Sequence, residues 1–263
     1  MNLTTPPTVH PPQVARNEPP RALVVGGSTG IGRGIADAWA AAGVRTTVLS
    51  RSEPVGPGAD LLSWSQVDLT DLGAAREAIR SVASAGLDAV CYSAVYYGER
   101  RAVIGDVAEP EWRRQLDVNL HGLWLTLSET LPALREAAPG LLVGVSSEVV
   151  FNGGPGRSGY SATKAAAAAL LDSVAQEENG SDVRIVQVMP AGMVDSPGIR
   201  RRRPADFDYS EYMRPEDFAA VASELLRSRG AGRHRDALVV GGDGGWRSVS
   251  ESAPVSQSRT LMS

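Results

Sequence analysis

A glycine-rich turn between an apolar strand and a helix constrains the fold of this 263-residue chain more than any other feature. The apolar run Arg21–Val25 leads into Gly26-Gly27-Ser28-Thr29-Gly30-Ile31-Gly32, and a helical pattern follows. Glycines there let the backbone turn sharply and approach a pyrophosphate, whose charge the N–H groups at a helix N-terminus can hold. The spacing is Gly-x3-Gly-x-Gly rather than the usual Gly-x-Gly-x-x-Gly. Its position in a strand–turn–helix unit still predicts dinucleotide binding.

Short apolar runs alternate with longer amphipathic stretches after this turn, which predicts an α/β fold with a parallel sheet covered by helices on both faces. The predicted strands are Arg21–Val25, Val44–Leu49, Leu62–Val67, Asp88–Tyr92, Leu141–Val145, Val183–Val188 and Ala237–Val240. The predicted helices are Ile31–Ala42, Leu72–Ala85, Pro110–Ala137, Tyr160–Glu178 and Pro215–Arg229. We expect a single domain over residues 21–248, a proline-rich disordered tail over 1–20 and a flexible tail over 249–263.

Composition excludes several classes of function. A net charge of −4 and a pI near 5.5 argue against nucleic acid or an anionic membrane as the main partner. One cysteine, Cys91, allows no internal disulfide and is typical of a reducing cytoplasm, and on an apolar strand it is expected to be a core residue. No apolar run reaches the roughly 20 residues that span a bilayer. The three histidines are scattered, which supports neither a metal site nor a Ser-His-Asp triad.

Lys164 is the only lysine in a chain whose other 25 basic residues are arginine. It follows Tyr160 by four positions, so on a helix the ammonium and the phenol share one face. Lysine is a compact point charge on a flexible stem, and arginine cannot replace it where geometry matters. An ammonium near a phenol lowers the phenol's pKa from about 10 and prepares it for acid–base chemistry.

The end of the second predicted strand indicates which nicotinamide cofactor the chain prefers. An acidic residue there would bind the adenosine ribose and select NAD, whereas this chain has Ser50 and Arg51. A guanidinium can pair bidentately with a 2′-phosphate, so we expect NADPH, with NADH possible and a plain surface arginine as the alternative. Asp68 is a candidate acceptor for the adenine amino group, or else a helix cap for the stretch that begins at Thr70.

Together these motifs resemble the short-chain dehydrogenase/reductase family over about residues 21–247. Ser147 precedes Tyr160 by thirteen residues, and Asn119 lies in Asp117-Val118-Asn119-Leu120-His121-Gly122 within the long predicted helix. A Val240-Gly241-Gly242-Asp243-Gly244-Gly245-Trp246 segment closes the pattern. The resemblance implies a doubly wound, seven-stranded Rossmann fold that transfers hydride between a nicotinamide and a carbonyl or alcohol carbon.

The resemblance also implies a role for each of the four catalytic candidates. Tyr160 donates the proton, Lys164 tunes it and bonds the nicotinamide ribose, Ser147 polarises the substrate oxygen, and Asn119 helps to hold a proton-relaying water. The expected cofactor-binding residues are Gly26, Ser28, Thr29, Gly30, Ile31, Gly32, Ser50, Arg51, Asp68, Leu69, Ser93, Ala94, Tyr160, Lys164, Pro190, Gly192 and Val194.

The chain departs from the family's pattern in three places. Val25 replaces a threonine before the glycine turn, and Pro190-Ala191-Gly192 displaces a glycine by one position. Tyr92-Ser93-Ala94-Val95 stands where the family has Asn-Asn-Ala-Gly, so we expect that loop to take another path, with Tyr96 and Tyr97 toward the substrate. The resemblance and Arg51 together predict an NADPH-dependent ketoreductase. An NAD-dependent alcohol dehydrogenase is one alternative, and the three departures motivate a second, a non-catalytic nucleotide-binding protein.

Residues 195–213 lack clean periodicity and follow the end of a strand, where ligands bind in open α/β sheets. We expect them to form a mobile lid, with Arg200–Arg203 either functional or a solvated run. The lid aromatics indicate a small, partly apolar or cyclic carbonyl substrate. The alanine run Ala165–Ala169, on a helix that in the family packs against a second subunit, favours a homo-oligomer, a dimer or tetramer.

Overall fold

The computed structural model describes residues 18–250, and in this range strands and helices alternate. The strands are β1 (Arg21–Val25), β2 (Arg45–Ser50), β3 (Leu62–Gln66), β4 (Ala89–Tyr92), β5 (Gly140–Val145), β6 (Val183–Pro190), β7 (Ala237–Val240) and β8 (Trp246–Ser248). The α-helices are α1 (Gly30–Ala41), α2 (Leu72–Ala83), α3 (Glu109–Leu116), α4 (Gly122–Ala137), α5 (Ser158–Glu177), α6 (Pro197–Arg200) and α7 (Ala219–Ser228). The predicted tails, 1–20 and 249–263, lie almost entirely outside the described residues.

Within residues 18–250 the strands form one eight-stranded sheet in the order β3-β2-β1-β4-β5-β6-β7-β8. Neighbouring strands from β3 to β7 are parallel, as predicted. Strands β2 and β3 are added on one side of β1, and strands β4 to β7 are added on the other side. This switch in strand order places a crevice at the carboxyl ends of β1 and β4. This crevice holds the glycine turn.

All seven predicted strands are present, but the sheet has an eighth strand at its edge that was not predicted. Trp246–Ser248 pairs antiparallel with β7 after a tight turn in which the N–H of Gly241 donates to the carbonyl oxygen of Gly245 at 2.8 Å. Gly244 adopts φ +74°, a left-handed conformation that glycine adopts without strain. Three residues are too few to show an alternating apolar pattern, so this strand could not be predicted from the sequence.

Two apolar cores lie on the two faces of the sheet, which confirms the doubly wound arrangement. Buried side chains of α2, α4 and α5 pack on one face, and those of α1 and α7 pack on the other. Trp39 of α1 is fully buried, and its indole N–H donates to the carbonyl oxygen of Ala222 at 3.0 Å. Cys91 is buried in this second core, as expected of a strand residue.

The long helix predicted over Pro110–Ala137 is interrupted. A π-helical turn, Asp117–His121, separates α3 from α4. The hydroxyl of Tyr92 donates to the carbonyl oxygen of Val118 in this turn. A Cβ at Gly122 would lie 2.4 Å from that hydroxyl, so only glycine leaves room for it. Tyr92, one of the departures from the family's pattern, therefore supports the turn that carries Asn119.

Candidate active site

The glycine turn packs tightly against the loop that follows β4. Gly26 has φ +84°, and a Cβ there would lie 2.4 Å from the backbone nitrogen of Ala94. A Cβ at Gly32 would lie 2.5 Å from the carbonyl oxygen of Gly26 and 2.8 Å from Cβ of Ser93. Side chains at either position would push the turn away from Ser93 and Ala94, so the sequence requires glycine here.

The same turn presents the N-terminus of α1 in a form that suits an anion. Thr29 is the N-cap residue with an extended backbone, and its side chain makes no capping hydrogen bond. The first turn of α1 carries no acidic residue. The N–H groups and the positive end of the helix are thus suited to a pyrophosphate. Ser28 lies beside Ser52 at an Oγ–Oγ distance of 3.4 Å, and Ile31 is partly buried.

A cleft of about 310 Å³ adjoins the end of β2 and is lined by Arg51, Gln66, Val67, Asp68, Asp71 and Ala74. The Arg51 side chain is exposed and makes no ion pair with the described residues. Burial works against the shift, but hydrogen bonds from Thr70 and the charge of Arg51 hold the pKa of Asp68 below its usual value. The helix N-terminus without a side-chain cap and this cleft together fit the shape and charge of an adenine dinucleotide.

Ser50 and Asp68, two of the predicted binding residues, already make hydrogen bonds within the protein. The Ser50 hydroxyl donates to the carbonyl oxygen of Ser52 at 2.8 Å and accepts from the indole N–H of Trp64 at 3.0 Å. Asp68 accepts the N–H and the hydroxyl of Thr70 at 3.0 and 2.8 Å. It does not cap the following helix, because α2 begins at Leu72 and its N-cap is Asp71. Leu69 is buried between these two acids.

Tyr160 and Lys164 are both buried, and they lie one helical turn apart on α5 at the carboxyl end of β5. The ammonium of Lys164 donates to the carbonyl oxygen of Val145 at 2.8 Å, and burial lowers the pKa of Lys164 to about 8. Burial first, and then the neighbouring Tyr97, raises the pKa of Tyr160 above its usual value, against a smaller lowering by a hydrogen bond with Ser147. This direction is opposite to the lowered pKa predicted from the Tyr–Lys spacing, because the phenol is buried.

Ser147 is buried at the start of the loop after β5. Its hydroxyl donates to a carboxylate oxygen of Glu148 at 2.8 Å and accepts the N–H of Val149 at 3.4 Å. Glu148 is also 3.4 Å from a guanidinium nitrogen of Arg157. The Glu148 carboxylate is exposed, and the Ser147 hydroxyl that donates to it can rotate toward a substrate oxygen, because hydroxyl hydrogens turn to suit their acceptors.

The Asn119 amide joins three parts of the site. It accepts the N–H of Tyr96 at 2.7 Å and donates to the carbonyl oxygen of Tyr96 at 3.0 Å and to the Thr163 hydroxyl at 2.9 Å. It thereby fixes the loop after β4 to helix α5. Asn119 and Lys164 also line a buried cavity of about 10 Å³, close to the smallest space that accepts one water molecule.

The segment after β6 reaches the glycine turn. Pro190 ends β6, Gly192 is exposed, and Val194 is buried and pairs with Met213 at the far end of the predicted lid. A Cβ on Gly30 would lie 3.4 Å from Cβ of Ser196. Ser196 was not among the predicted binding residues, although its place after the displaced glycine is a signal that could have identified it.

The structure also adds an aromatic residue to the neighbourhood of the predicted catalytic set. The rings of Tyr97 and Tyr160 are tilted by 50° with centroids 5.1 Å apart. The sequence predicts that Tyr96 and Tyr97 lie toward the substrate, but it does not predict the contact between Tyr97 and Tyr160. The sequence also does not identify Glu148, the hydrogen-bond partner of Ser147, or Thr163, the partner of Asn119. Neither residue belongs to a recognisable motif.

Comparisons with known proteins agree with this arrangement. A family model described as short chain dehydrogenase matches residues 20–206. An uncharacterized oxidoreductase of Myxococcus xanthus is 34% identical over 188 residues, which are 66% of this chain and 72% of the relative. A 3-oxoacyl-[acyl-carrier-protein] reductase of Chlamydia muridarum is 28% identical over 186 residues, covering 66% of this chain and 74% of the relative.

Solved structures extend the likeness over more of the chain. The NADP-bound 3-oxoacyl (acyl-carrier-protein) reductase of Agrobacterium tumefaciens C58 superposes with a TM-score of 0.73 at 25% identity, over 85% of this chain and 93% of that one.

None of the helices between residues 18 and 250 has the length and apolar character that a membrane span requires. Among those same residues, no group of three or more His, Cys, Asp or Glu side chains is placed to hold a metal ion.

Proposed function

This chain belongs to the short-chain dehydrogenase family and is an oxidoreductase that uses a nicotinamide cofactor, and we propose that it reduces a ketone with NADPH. The observation that carries the proposal is the buried phenol of Tyr160, which lies one helical turn from the buried Lys164 on α5. A bound nicotinamide supplies the hydride, and the protein supplies aim and electrostatics.

Tyr160 provides the proton in this proposal. A phenol with a pKa of about 10 or higher keeps its proton at neutral pH, and Tyr160 can give that proton to the oxygen of a carbonyl as negative charge develops there. Ser147 turns its hydroxyl from Glu148 to the same oxygen and polarises the carbonyl.

Lys164 stabilises the phenolate that remains after the transfer. Its pKa of about 8 leaves most of the ammonium charged at neutral pH, and it occupies the same face of α5 as Tyr160. Asn119 holds the loop of Tyr96 against Thr163 and so fixes the position of α5. These roles depend on the chain's own side chains and can be tested separately.

The residues that would hold the cofactor follow from the two parts of the crevice. The turn from Gly26 to Gly32, with Thr29 at the N-cap, would hold the pyrophosphate. Arg51 would pair with a 2′-phosphate, and Asp68 would accept the adenine amino group with the oxygen that Thr70 does not use. Ser93, Ala94, Val194 and Ser196 would border the cofactor between these parts and the nicotinamide.

The decisive experiment is the substitution Tyr160→Phe, with Tyr209→Phe in the lid as the matched control. We expect Tyr160→Phe to lower ketone turnover by about 10² to 10⁴ while NADPH affinity stays within about twofold, because only the proton donor is lost. Tyr209→Phe should retain turnover. Unchanged turnover in Tyr160→Phe would refute this role, and tighter binding of NADH than NADPH would refute the cofactor preference.

A homo-oligomer built through α5 is part of the proposal. Ala165 and Ala169 are exposed on this helix, and small side chains there allow a second helix to approach closely. Sedimentation velocity of the wild type and of Ala169→Arg should show a dimer or tetramer that dissociates in the variant. A monomeric wild type would contradict this.

A further inference from the structure

Arg202 lies one aromatic ring away from the proposed proton donor. Its guanidinium carbon is 5.7 Å from the ring centroid of Tyr97, and that ring is 5.1 Å from the ring of Tyr160. The side chain is partly buried, although it belongs to a run of four arginines in an exposed segment. Tyr97 thus separates a cation from the phenol across a short apolar surface.

The other arginines of the run are differently placed. Arg200 forms a bidentate ion pair with Asp195, with both nitrogen–oxygen distances 2.6 Å, and Arg201 is exposed. Arg203 donates to the Tyr212 hydroxyl at 3.2 and 3.1 Å. Only Arg202 is directed toward Tyr97, so the run as a whole is not a uniformly solvated surface.

Positive charge dominates around Arg202. Among residues 18–250, no carboxylate lies within ion-pair distance of its guanidinium. Burial, followed by the charges of Arg101 and Arg203, lowers its pKa, while Tyr97 and Glu111 act in the opposite sense. One Glu111 oxygen accepts the N–H of Glu99 at 3.0 Å. A partly desolvated guanidinium without an anion is unfavourable, and a bound anion would offset that cost.

We propose that Arg202 binds the anionic group of the substrate, so that the substrate is a short carbonyl compound with a carboxylate or a phosphate monoester. The planar guanidinium fork fits both groups bidentately. The carbon chain between the anion and the carbonyl would lie along the ring of Tyr97, which brings the carbonyl oxygen to Tyr160. This substrate class rests on the proposed function.

Two matched ligand pairs test the proposal and separate the two anions: levulinate with methyl levulinate, and dihydroxyacetone phosphate with dihydroxyacetone. Calorimetric titration into the NADPH-loaded enzyme measures affinity, and NADPH oxidation measures kcat/KM. We expect the wild type to prefer at least one charged member about tenfold or more over its neutral partner. Arg202→Met should remove that preference, and the exposed neighbour Arg201→Met should keep it.

Arg202→Lys covers the case in which the methionine variant does not fold. Lysine keeps the charge without the planar fork. The preference of Arg202→Lys for the charged ligand should therefore be smaller than that of the wild type, but greater than one. A preference for the carboxylate pair alone, or for the phosphate pair alone, identifies the anion. Equal affinity for charged and neutral members in the wild type, binding of none of the four compounds, or a preference that survives Arg202→Met, overturns the proposal.

The Tyr160→Phe variant distinguishes this proposal from the proposed function. If Tyr160→Phe retains full turnover while the charge preference persists and depends on Arg202, the ketoreductase mechanism fails and the anion site stands. If Tyr160→Phe abolishes turnover but Arg202→Met leaves the preference intact, the anion site alone fails.

Discussion

The ring of Tyr97 covers Tyr160 at a centroid distance of 5.1 Å, although the two residues are 63 positions apart in the chain. Tyr97 stands on the loop after β4, and Tyr160 stands on the first turn of α5. Burial of the Tyr160 phenol, the largest cause of its raised pKa, therefore depends on a loop that departs from the family's usual sequence.

Tyr97→Ala should uncover the Tyr160 phenol. We expect the Tyr160 pKa to fall back toward about 10 and ketone turnover to fall about tenfold, because water replaces the covering ring. Tyr97→Phe keeps the ring and should retain most of the turnover. Ultraviolet tyrosinate titration of each variant, with and without Tyr160→Phe, isolates the Tyr160 signal. An unchanged Tyr160 pKa in Tyr97→Ala would contradict the covering role.

Lys164→Met should stabilise the fold near neutral pH while it abolishes turnover. Burial lowers the Lys164 pKa from 10.5 to about 8, and this shift corresponds to roughly 3 kcal/mol of destabilisation below pH 8. Loss of the hydrogen bond to Val145 returns about 1 kcal/mol of that. We expect the variant to be about 2 kcal/mol more stable at pH 7 in urea unfolding.

A lysine whose pKa is raised by a partner loses its contribution to stability as the pH rises. The lowered pKa of Lys164 has the opposite effect on stability. Between the folded pKa of about 8 and the unfolded value of 10.5, the unfolded chain binds the extra proton, so wild-type stability rises with pH. The stability difference between wild type and Lys164→Met should therefore shrink across that interval. Below the unfolded tyrosine pKa of about 10, Tyr160→Phe, which keeps Lys164, should show the wild-type slope. A stability difference between wild type and Lys164→Met that does not depend on pH would argue against a buried ammonium.

Gly26→Ala and Gly43→Ala form a matched pair for the glycine turn. Their φ angles are +84° and +82°, but a Cβ at Gly26 meets backbone at 2.4 Å whereas a Cβ at Gly43 meets nothing within 4 Å. Gly43→Ala should cost about 1 to 2 kcal/mol of unfolding free energy and leave NADPH binding unchanged. Gly26→Ala should cost more and weaken NADPH binding as well. Equal effects of the two substitutions would exclude the close packing as the cause.

Arg51→Ala should weaken NADPH binding by about tenfold or more and leave NADH binding within about twofold, because only NADPH carries the 2′-phosphate. Arg45→Ala, at the opposite end of β2, serves as the control and should change neither affinity. Nicotinamide fluorescence titration measures both. Parallel losses of NADPH and NADH affinity in Arg51→Ala would instead indicate a structural role for this side chain.

Much of the fold follows from local sequence. Strands Arg21–Val25 and Ala237–Val240 have the predicted bounds, and the remaining predicted strands are displaced by one or two residues. Apolar runs and glycines encode backbone conformation directly, and for this reason the strand–turn–helix unit was predictable. The three-residue β8 and the π turn at Asn119 were not, because neither has a period that a few residues can display.

The sequence alone determined the parallel sheet, the glycine turn between β1 and α1 and the common helical face of Tyr160 and Lys164, since each depends on patterns of residues within a few positions. Only the tertiary structure decided that Lys164 donates to the carbonyl oxygen of Val145, that the Tyr160 phenol is buried, and that Tyr97 contacts both Tyr160 and Arg202. Burial and charge at a site depend on residues from distant segments, and only the packed chain brings those segments together.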